Sequence, residues 1–158
     1  MNIRPIEEKD YSKILRIADK LKTIDIKTGW FTEYARRKTI PLAIRINKGF
    51  VAELSGKIIG FITYSVVEIK PYISWLGVAP KFHRKKVGTK LVEKAEEELR
   101  RLGAETVSVE TPSKEEGMGT SYEGTYKFYE AMGFAFESSR TMEFKGTKTI
   151  MTTLTKEL

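Results

Sequence analysis

The alternation of apolar and polar positions divides this chain into helical and extended segments. Apolar residues recur every three or four positions from about Glu7 to Lys22, and this spacing predicts an amphipathic helix. The segment Val87–Leu102 has the same spacing, and Tyr122–Met132 is also predicted to be helical. Gly103 and Gly133 follow these two segments directly, as is typical of a C-terminal helix cap.

Segments in which apolar and polar residues alternate, or in which β-branched residues cluster, predict strands. The predicted strands are Asn2–Arg4, Phe50–Leu54, Lys57–Glu68, Tyr72–Val78, Thr106–Glu110, Phe134–Phe144 and Thr147–Thr155. Turn residues at Ser55-Gly56 and Lys145-Gly146 join two pairs of these strands into hairpins. The strand–helix–strand order around Val87–Leu102 indicates a right-handed crossover between two parallel strands.

Other segments have less regular patterns. A short helix is predicted over 30–38, where three aromatic residues either pack in the core or line a substrate groove: Trp30, Phe31 and Tyr34. The pattern over Pro41–Lys48 is ambiguous. The polar segment 112–121 contains two glycines and is predicted to be a loop.

Together these elements predict an α/β fold. We expect one domain over residues 1–158, because this length suffices for one hydrophobic core. Its centre is predicted to be a mixed sheet of about six to seven strands, flanked by about four helices. The sheet is expected to be antiparallel at its start and parallel in its middle.

Composition excludes several classes of site. The chain has no Cys and one His, so disulfides, thiolate ligands and Cys nucleophiles are excluded, and a transition-metal site has no support. No apolar run approaches the ~20 residues of a membrane span, and the first residues lack the apolar core of a secretory signal. A cytoplasmic location is therefore expected. The net charge of +7 favours anionic partners such as phosphates.

The most informative segment lies between the strand Tyr72–Val78 and the helix that begins at Val87. Its residues 81–86 carry four cationic side chains and one His. Exposed backbone N–H groups at the start of a helix bind anions, and surrounding Lys and Arg side chains add to this attraction. This turn is therefore predicted to bind phosphate.

Two motifs resemble those of the GNAT superfamily of acetyl-CoA-dependent N-acetyltransferases. The superfamily's acyl-CoA turn has Gln or Arg, two variable residues, Gly, one variable residue, and Gly or Ala. Here it reads His83-Arg84-Lys85-Lys86-Val87-Gly88, so His83 replaces Gln or Arg and Lys86 replaces Gly. The second motif, Phe-Tyr-Glu-Ala-Met-Gly-Phe at 128–134, lies about forty residues further along the chain, beyond a strand.

The resemblance implies a GNAT fold in which the two parallel strands splay apart, with acetyl-CoA as cosubstrate and no metal. It implies that the pyrophosphate lies on the turn and that the pantetheine arm pairs with the backbone around Leu76 and Val78. The residues implied in binding acetyl-CoA are Leu76, Gly77, Val78, His83, Arg84, Lys85, Lys86, Val87, Gly88, Thr89, Tyr122 and Tyr129. The Val78 N–H is implied as the oxyanion donor, and Tyr129 as the acid that protonates the leaving thiolate.

The group that accepts the proton of the amine is less well defined. Many relatives have a Glu six residues before the position of Val78, but Tyr72 occupies that position here. Some N-terminal acetyltransferases of the superfamily carry Tyr there and use a second group. Glu110 is either that second group or a solvated carboxylate at a strand end, and Ser108 shares its face of the strand. Glu68 is a weaker candidate.

The expected function is acetyl transfer from acetyl-CoA to a primary amine, by direct attack in a ternary complex. The acceptor is either a protein N-terminus or lysine, or a small amine. The segments 27–38 and 112–121 are expected to border the acceptor site. The alternatives are a non-catalytic acyl-CoA-binding module and a basic nucleic-acid-binding module. Nucleic acid is the less favoured partner, because Phe82 alone supplies an aromatic ring to the basic turn. The edge of the final hairpin is a possible surface for a homodimer.

Overall fold

A computed structural model describes residues 1–21, 34–66, 70–117, 122–144 and 146–158. The strands are β1 (Asn2–Pro5), β2 (Lys48–Leu54), β3 (Lys57–Ser65), β4 (Tyr72–Val78), β5 (Thr106–Pro112), β6 (Ala135–Phe144) and β7 (Thr147–Glu157). The α-helices of the described ranges are α1 (Tyr11–Lys20), α2 (Ile40–Ile46), α3 (Val87–Arg101), α4 (Lys114–Gly117) and α5 (Glu123–Ala131). Short 3₁₀ turns precede α1 and α3, and a π-helical turn, Ala35–Thr39, precedes α2.

The strands form one seven-stranded mixed sheet, in the order β1-β2-β3-β4-β5-β7-β6. The pairing between β4 and β5 is parallel, and the other neighbouring pairs are antiparallel. Helix α3 connects the two parallel strands, as expected for a crossover connection. The predicted α/β fold class, with a sheet antiparallel at its start and parallel in its middle, is therefore confirmed.

Each face of the sheet has its own hydrophobic cluster. On one face, α3 packs so closely on β3 that a Cβ atom at Gly60 would lie 3.1 Å from side-chain atoms of Leu91 and Val87. The cluster on this face also contains Val109 of β5 and Tyr129 of α5. The cluster on the other face joins α1 and α2 to the first half of the sheet, with Ile14, Ile17, Ala18, Ile40, Ile44, Val51 and Phe61. Helices therefore cover both faces of the sheet, and the candidate site lies at its middle, between β4 and β5.

Polar side chains continue across the sheet on the α1 and α2 face. Helix α1 packs on β3 and β4, and α2 packs on β2 and β4. Further along this face, Tyr72 of β4 lies beside Ser108 of β5, which in turn pairs with Thr155 of β7. Their neighbours Ile73 and Val109 belong to the opposite face, because alternate residues of a strand project in opposite directions. The middle of the sheet therefore presents a polar surface beside α2.

Some element predictions change in the structure. The ambiguous segment is α2, which continues directly from the π-helical turn and has Pro41 near its start. Strand β5 extends to Pro112, and α4 forms the first half of the predicted loop. Some predictions fall outside the described residues, which omit 22–33, 67–69, 118–121 and 145. These are the predictions for Trp30, Phe31, Glu68 and the end of the loop.

A buried carboxylate connects the first strand to the turn that precedes α1. Asp10 is fully buried and accepts hydrogen bonds from Arg4 Nη1 at 2.7 Å and Nη2 at 2.9 Å. Its Oδ2 also accepts from the Glu7 N–H at 3.0 Å, while Arg4 Nε donates to Glu53 of β2 at 2.8 Å. Hydrogen bonds from Arg4 lower the pKa of Asp10. The carboxylate is therefore stabilised in its charged form.

Replacing Asp10 with Asn is expected to lower the free energy of unfolding by about 2–3 kcal/mol at neutral pH, because the charge-assisted bonds to Arg4 are lost. Because the folded-state pKa is lowered, this stabilisation exists above the unfolded pKa of about 3.9 and disappears as the pH falls through the folded value. Denaturant unfolding at a series of pH values measures both effects. The exposed neighbour Glu8, changed to Gln, is the control. An equal loss in both variants would contradict the assignment.

Candidate active site

The two parallel strands separate because of an extra residue in β4. Pairing between β4 and β5 is confined to Tyr72 with Ser108 and Ile73 with Val109. Against β3, the register jumps from Ile73 to Trp75, so Ser74 forms a β-bulge. A bulge bends its strand and increases the local twist, which directs the rest of β4 away from β5. The Asn47 amide, at the end of α2, donates to Ser74 Oγ at 2.8 Å and connects the bulge to that helix.

The backbone of β4 beyond the bulge faces the gap between the strands. The Ala79 N–H donates to the Ile59 carbonyl at 2.8 Å, so the ladder to β3 extends past the strand end. Hydrogen-bonded and non-hydrogen-bonded pairs alternate in an antiparallel ladder, which turns the N–H groups of Leu76 and Val78 away from β3. The Val78 carbonyl accepts a hydrogen bond from His83 Nε2 at 2.7 Å. An exposed strand edge thus borders the gap.

The basic turn has two residues in the left-handed region. Arg84 has φ 57° and Lys86 has φ 60°, and Lys86 is the N-cap of α3. Lys86 occupies the motif position that usually holds Gly, and its backbone adopts a conformation that Gly favours. This conformation costs a residue with a Cβ atom roughly 1–2 kcal/mol. The turn therefore delivers the first N–H groups of the 15-residue helix α3 toward the gap at the positive end of its dipole.

A first cavity of about 440 Å³ lies between this turn, β4 and α5. It is lined by the predicted residues Leu76, Val78, His83, Arg84, Lys86, Val87, Gly88, Thr89, Tyr122 and Tyr129. Gly77 and Lys85 are not among the described residues that line it. A Cβ atom at Gly77 would lie 2.5 Å from the Phe61 ring, on the opposite face, and Lys85 Nζ lies 5.4 Å from the centre of the Phe82 ring.

A second cavity of about 600 Å³ lies on the other side of the gap. The predicted residues Tyr72 and Glu110 line it, as does Ser108. Its remaining walls include α2 and the ends of β5 and β6, with Leu42, Ile46, Asn47, Ser74, Trp75, Thr111 and Glu137. The two cavities share Leu76, Tyr122, Thr125 and Tyr129, so they meet at these residues. Two molecules bound in the two cavities would therefore come together beside α5.

Tyr129 lies at this meeting point. Its side chain is 4% exposed and makes edge contacts with Phe128 and Phe134, with ring centres 5.1 and 5.3 Å apart. Burial raises the pKa of Tyr129 above its ordinary value, because the charged phenolate is poorly solvated there. The phenol is therefore protonated at neutral pH and can donate a proton or a hydrogen bond.

Comparison with protein families identifies the chain. The model of the acetyltransferase (GNAT) family matches residues 19–134, which is most of the chain. The protein belongs to the GNAT family of acetyltransferases. Both motifs and the gap between β4 and β5 lie within the matched residues. The comparison with curated proteins finds no match.

Solved structures of GNAT acetyltransferases share the fold. The Escherichia coli ribosomal-protein-S18-alanine N-acetyltransferase is 18% identical, with a TM-score of 0.75 over 99% of this chain and 92% of its own. An Elizabethkingia anophelis GNAT acetyltransferase with acetyl-CoA bound is 17% identical, with a TM-score of 0.70 over 99% and 97%. PaiA N-acetyltransferase from Thermoplasma acidophilum, in complex with coenzyme A, is 19% identical, with a TM-score of 0.71 over both full chains.

The second cavity contains contacts that were not predicted. Both Glu110 oxygens accept hydrogen bonds from Arg140 of β6, at 2.6 and 2.9 Å, and this pairing raises the pKa of Arg140. Leu42 and Ile46 stand one turn apart in a segment whose pattern was ambiguous. Their exposure beside the cavity depends on where α2 packs, and the partner of Glu110 depends on the β5-β7-β6 strand order. No local sequence signal identifies either.

The described parts of the chain contain neither a membrane-spanning helix nor a cluster of metal-binding side chains. None of the helices there is long and apolar enough to cross a membrane. Within the same ranges, His, Cys, Asp and Glu side chains do not form a group of three or more that is placed to hold a metal ion.

The left-handed conformation at Lys86 has a measurable consequence. The variants Lys86→Gly and Lys86→Ala both lose the ammonium group, but only Gly adopts φ 60° without strain. We expect the Gly variant to be more stable than the Ala variant by about 1 kcal/mol in denaturant unfolding. At exposed Glu93, inside α3, the order should reverse, with Gly less stable than Ala by about 1 kcal/mol. The same order at both positions would contradict the conformation at Lys86.

Proposed function

We propose that this protein transfers an acetyl group from acetyl-CoA to a primary amine by direct attack in a ternary complex. The observation that carries the proposal is the pair of cavities that meet at Tyr129. One cavity ends at the basic turn and suits a phosphate-bearing cosubstrate. The other is separate and open to an acceptor, so both substrates are able to bind at the same time without an acyl-enzyme.

The residues around the first cavity fit acetyl-CoA. The N–H groups at the start of α3 would hold its pyrophosphate, and Arg84 and Lys86 would add attraction to the phosphates. The backbone N–H groups of Leu76 and Val78, which face the gap, would pair with the amide-rich pantetheine arm as an added strand would. When bound, acetyl-CoA supplies an activated thioester carbonyl at the meeting point of the cavities.

Two groups of the chain would then act on the reacting atoms. The Val78 N–H points away from β3 and is the donor proposed to stabilise the negative charge that develops on the carbonyl oxygen. Tyr129 is the acid proposed to protonate the leaving sulfur, since it lies where the two cavities meet. Because both are fixed by secondary structure, little reorganisation is needed when charge develops.

On the acceptor side, Tyr72 and Glu110 are the groups proposed to handle the proton of the amine. Both line the second cavity, and they lie on the same face of adjacent strands. The bidentate contact with Arg140 fixes the orientation of the Glu110 carboxylate. A carboxylate has about four lone-pair positions, so Glu110 keeps acceptor capacity for a water or an N–H group after Arg140 has bound.

The second cavity favours an amine that carries an apolar group. Leu42 and Ile46 are 56% and 65% exposed beside it, although most large apolar side chains of the described ranges are buried. The carboxylates that line it are paired with cations of the chain, Glu110 with Arg140 and Glu137 with Lys70. A polycationic acceptor would therefore find few uncompensated negative charges, whereas an apolar side chain would cover the exposed wall on α2.

Replacing Tyr129 with Phe separates binding from chemistry. Isothermal titration is expected to show that the wild type and Tyr129→Phe bind acetyl-CoA within about twofold of each other, while turnover falls by about 10²-fold or more because the acid is lost. Tyr126→Phe, a half-buried tyrosine on the same helix, is the control and should keep its turnover. Failure of the wild type to bind acetyl-CoA would overturn the proposed function. Binding without transfer would favour an acyl-CoA-binding module, and unchanged turnover in Tyr129→Phe would remove the acid role.

The apolar wall can be tested with two acceptors that differ only in a side chain, leucinamide and glycinamide. We expect the wild type to prefer leucinamide by about tenfold in kcat/KM, because the wall on α2 covers its side chain. Ile46→Ser should remove most of this preference and leave glycinamide within about twofold. Leu102→Ser, at an exposed apolar position at the end of α3, is the control. Equal rates for the two acceptors in the wild type would contradict the apolar acceptor.

A further inference from the structure

A chain of hydrogen bonds runs from the second cavity to the edge of the sheet. Ser108 Oγ of β5 lies 2.8 Å from Thr155 Oγ1 of β7. Thr155 Oγ1 lies 3.1 Å from Glu137 Oε2 of β6, and Lys70 Nζ donates to Glu137 Oε1 at 2.6 Å. The chain therefore connects a serine in the cavity to an ion pair at the protein surface through one hydroxyl group.

The ion pair between Lys70 and Glu137 determines the direction of every hydrogen bond in this series. Hydrogen bonds from Lys70 and Thr155 lower the pKa of Glu137, so its carboxylate is ionised and accepts only. The Thr155 hydroxyl has one proton and donates it to Glu137. Ser108 must then donate its own proton to Thr155, because Thr155 has none left for this contact. As a result, Ser108 presents only lone pairs to the cavity.

Ser108 is placed where the acceptor amine would lie. It lines the second cavity and is 8% exposed, so its hydroxyl is held in a confined position. In the parallel register Ser108 pairs with Tyr72. The adjacent pair, Ile73 with Val109, is the last one before the strands separate. Ser108 is two residues from Glu110 and therefore on the same face of β5. Both residues proposed to handle the amine proton are thus its neighbours.

We propose that Ser108 binds an N–H group of the acceptor amine, and that Thr155 and Glu137 keep its hydroxyl in the accepting orientation. A hydroxyl that donated a hydrogen bond to the amine nitrogen would occupy the lone pair that must attack the thioester carbonyl. A hydroxyl that accepts from N–H leaves this lone pair free and helps to orient it. Ser108 is then a binding residue for the acceptor, and Thr155 and Glu137 are positioning residues. This assignment rests on the proposed acetyl transfer.

The competing explanation is a purely structural one. Hydroxyl pairs on neighbouring strands stabilise sheets by a few tenths of a kcal/mol without any role in catalysis. The variant Thr155→Val distinguishes the two explanations, because Thr155 is not among the described residues that line either cavity. It removes the group that receives the Ser108 proton and leaves the walls of the cavity in place. Thr155→Ser keeps that group and removes only a methyl group.

The experiment measures kcat/KM for leucinamide at saturating acetyl-CoA. We expect Ser108→Ala and Thr155→Val each to lower it by about fivefold, which corresponds to one hydrogen bond. The double variant should be no slower than either single variant, because both changes remove the same contact. Thr155→Ser should restore the wild-type rate. Thr149→Val, at a buried threonine of the same strand, is the matched control and should not change the rate.

The outcomes separate this assignment from the proposed function. Wild-type rates in Thr155→Val, or losses that multiply in the double variant, would overturn the role of Ser108. A loss in Thr155→Val that Thr155→Ser does not restore would also overturn it. Titration of each variant with acetyl-CoA should give the wild-type affinity, since these hydrogen bonds lie on the acceptor side. Absence of any acetyl transfer by the wild type would overturn the proposed function itself, and the role of Ser108 with it.

Discussion

The early end of the pairing between β4 and β5 is the constraint on which the functional site depends. Parallel pairing stops at Ile73 because Ser74 is inserted as a bulge against β3. If the ladder continued, the N–H groups of Leu76 and Val78 would be bonded to β5, and the two cavities would be closed by a continuous sheet. The bulge thus opens the sheet at β4, and the two cavities lie around this one exposed strand edge. The hydrogen bond from Asn47 connects the bulge to α2, the helix that borders the second cavity.

The basic turn shows that a backbone conformation matters more here than the residue that usually provides it. A Gly is the ordinary solution for a left-handed residue at the start of a helix, yet Lys86 adopts φ 60° at this position. The cost of the Cβ atom is small compared with the hydrophobic contacts that fix α3 on β3. Packing of Leu91 and Val87 against Gly60 places the helix, and the turn then has to connect it to β4.

Beyond β4, one face of the sheet is part of the hydrophobic core and the other face is polar. On the α3 and α5 face, Val109 and Tyr129 belong to a continuous core, so Tyr129 is held rigidly and its phenol stays protonated. On the opposite face, Ser108 and Thr155 form part of a polar surface, on which ion pairs compensate the carboxylates of β5 and β6. The division follows from strand alternation, because adjacent residues of β5 project in turn into the core and toward the polar surface.

The sequence by itself determined the element order, the fold class, the family and most of the residues that line the first cavity. These features depend on local periodicity and on two short motifs, in each of which residues close in sequence act together. The tertiary structure decided the walls of the second cavity. Arg140 meets Glu110, and Ser108 connects to Glu137, only because β7 lies between β5 and β6. Such contacts join residues 18 to 47 positions apart, and strand order and register have no local signature from which they could be predicted.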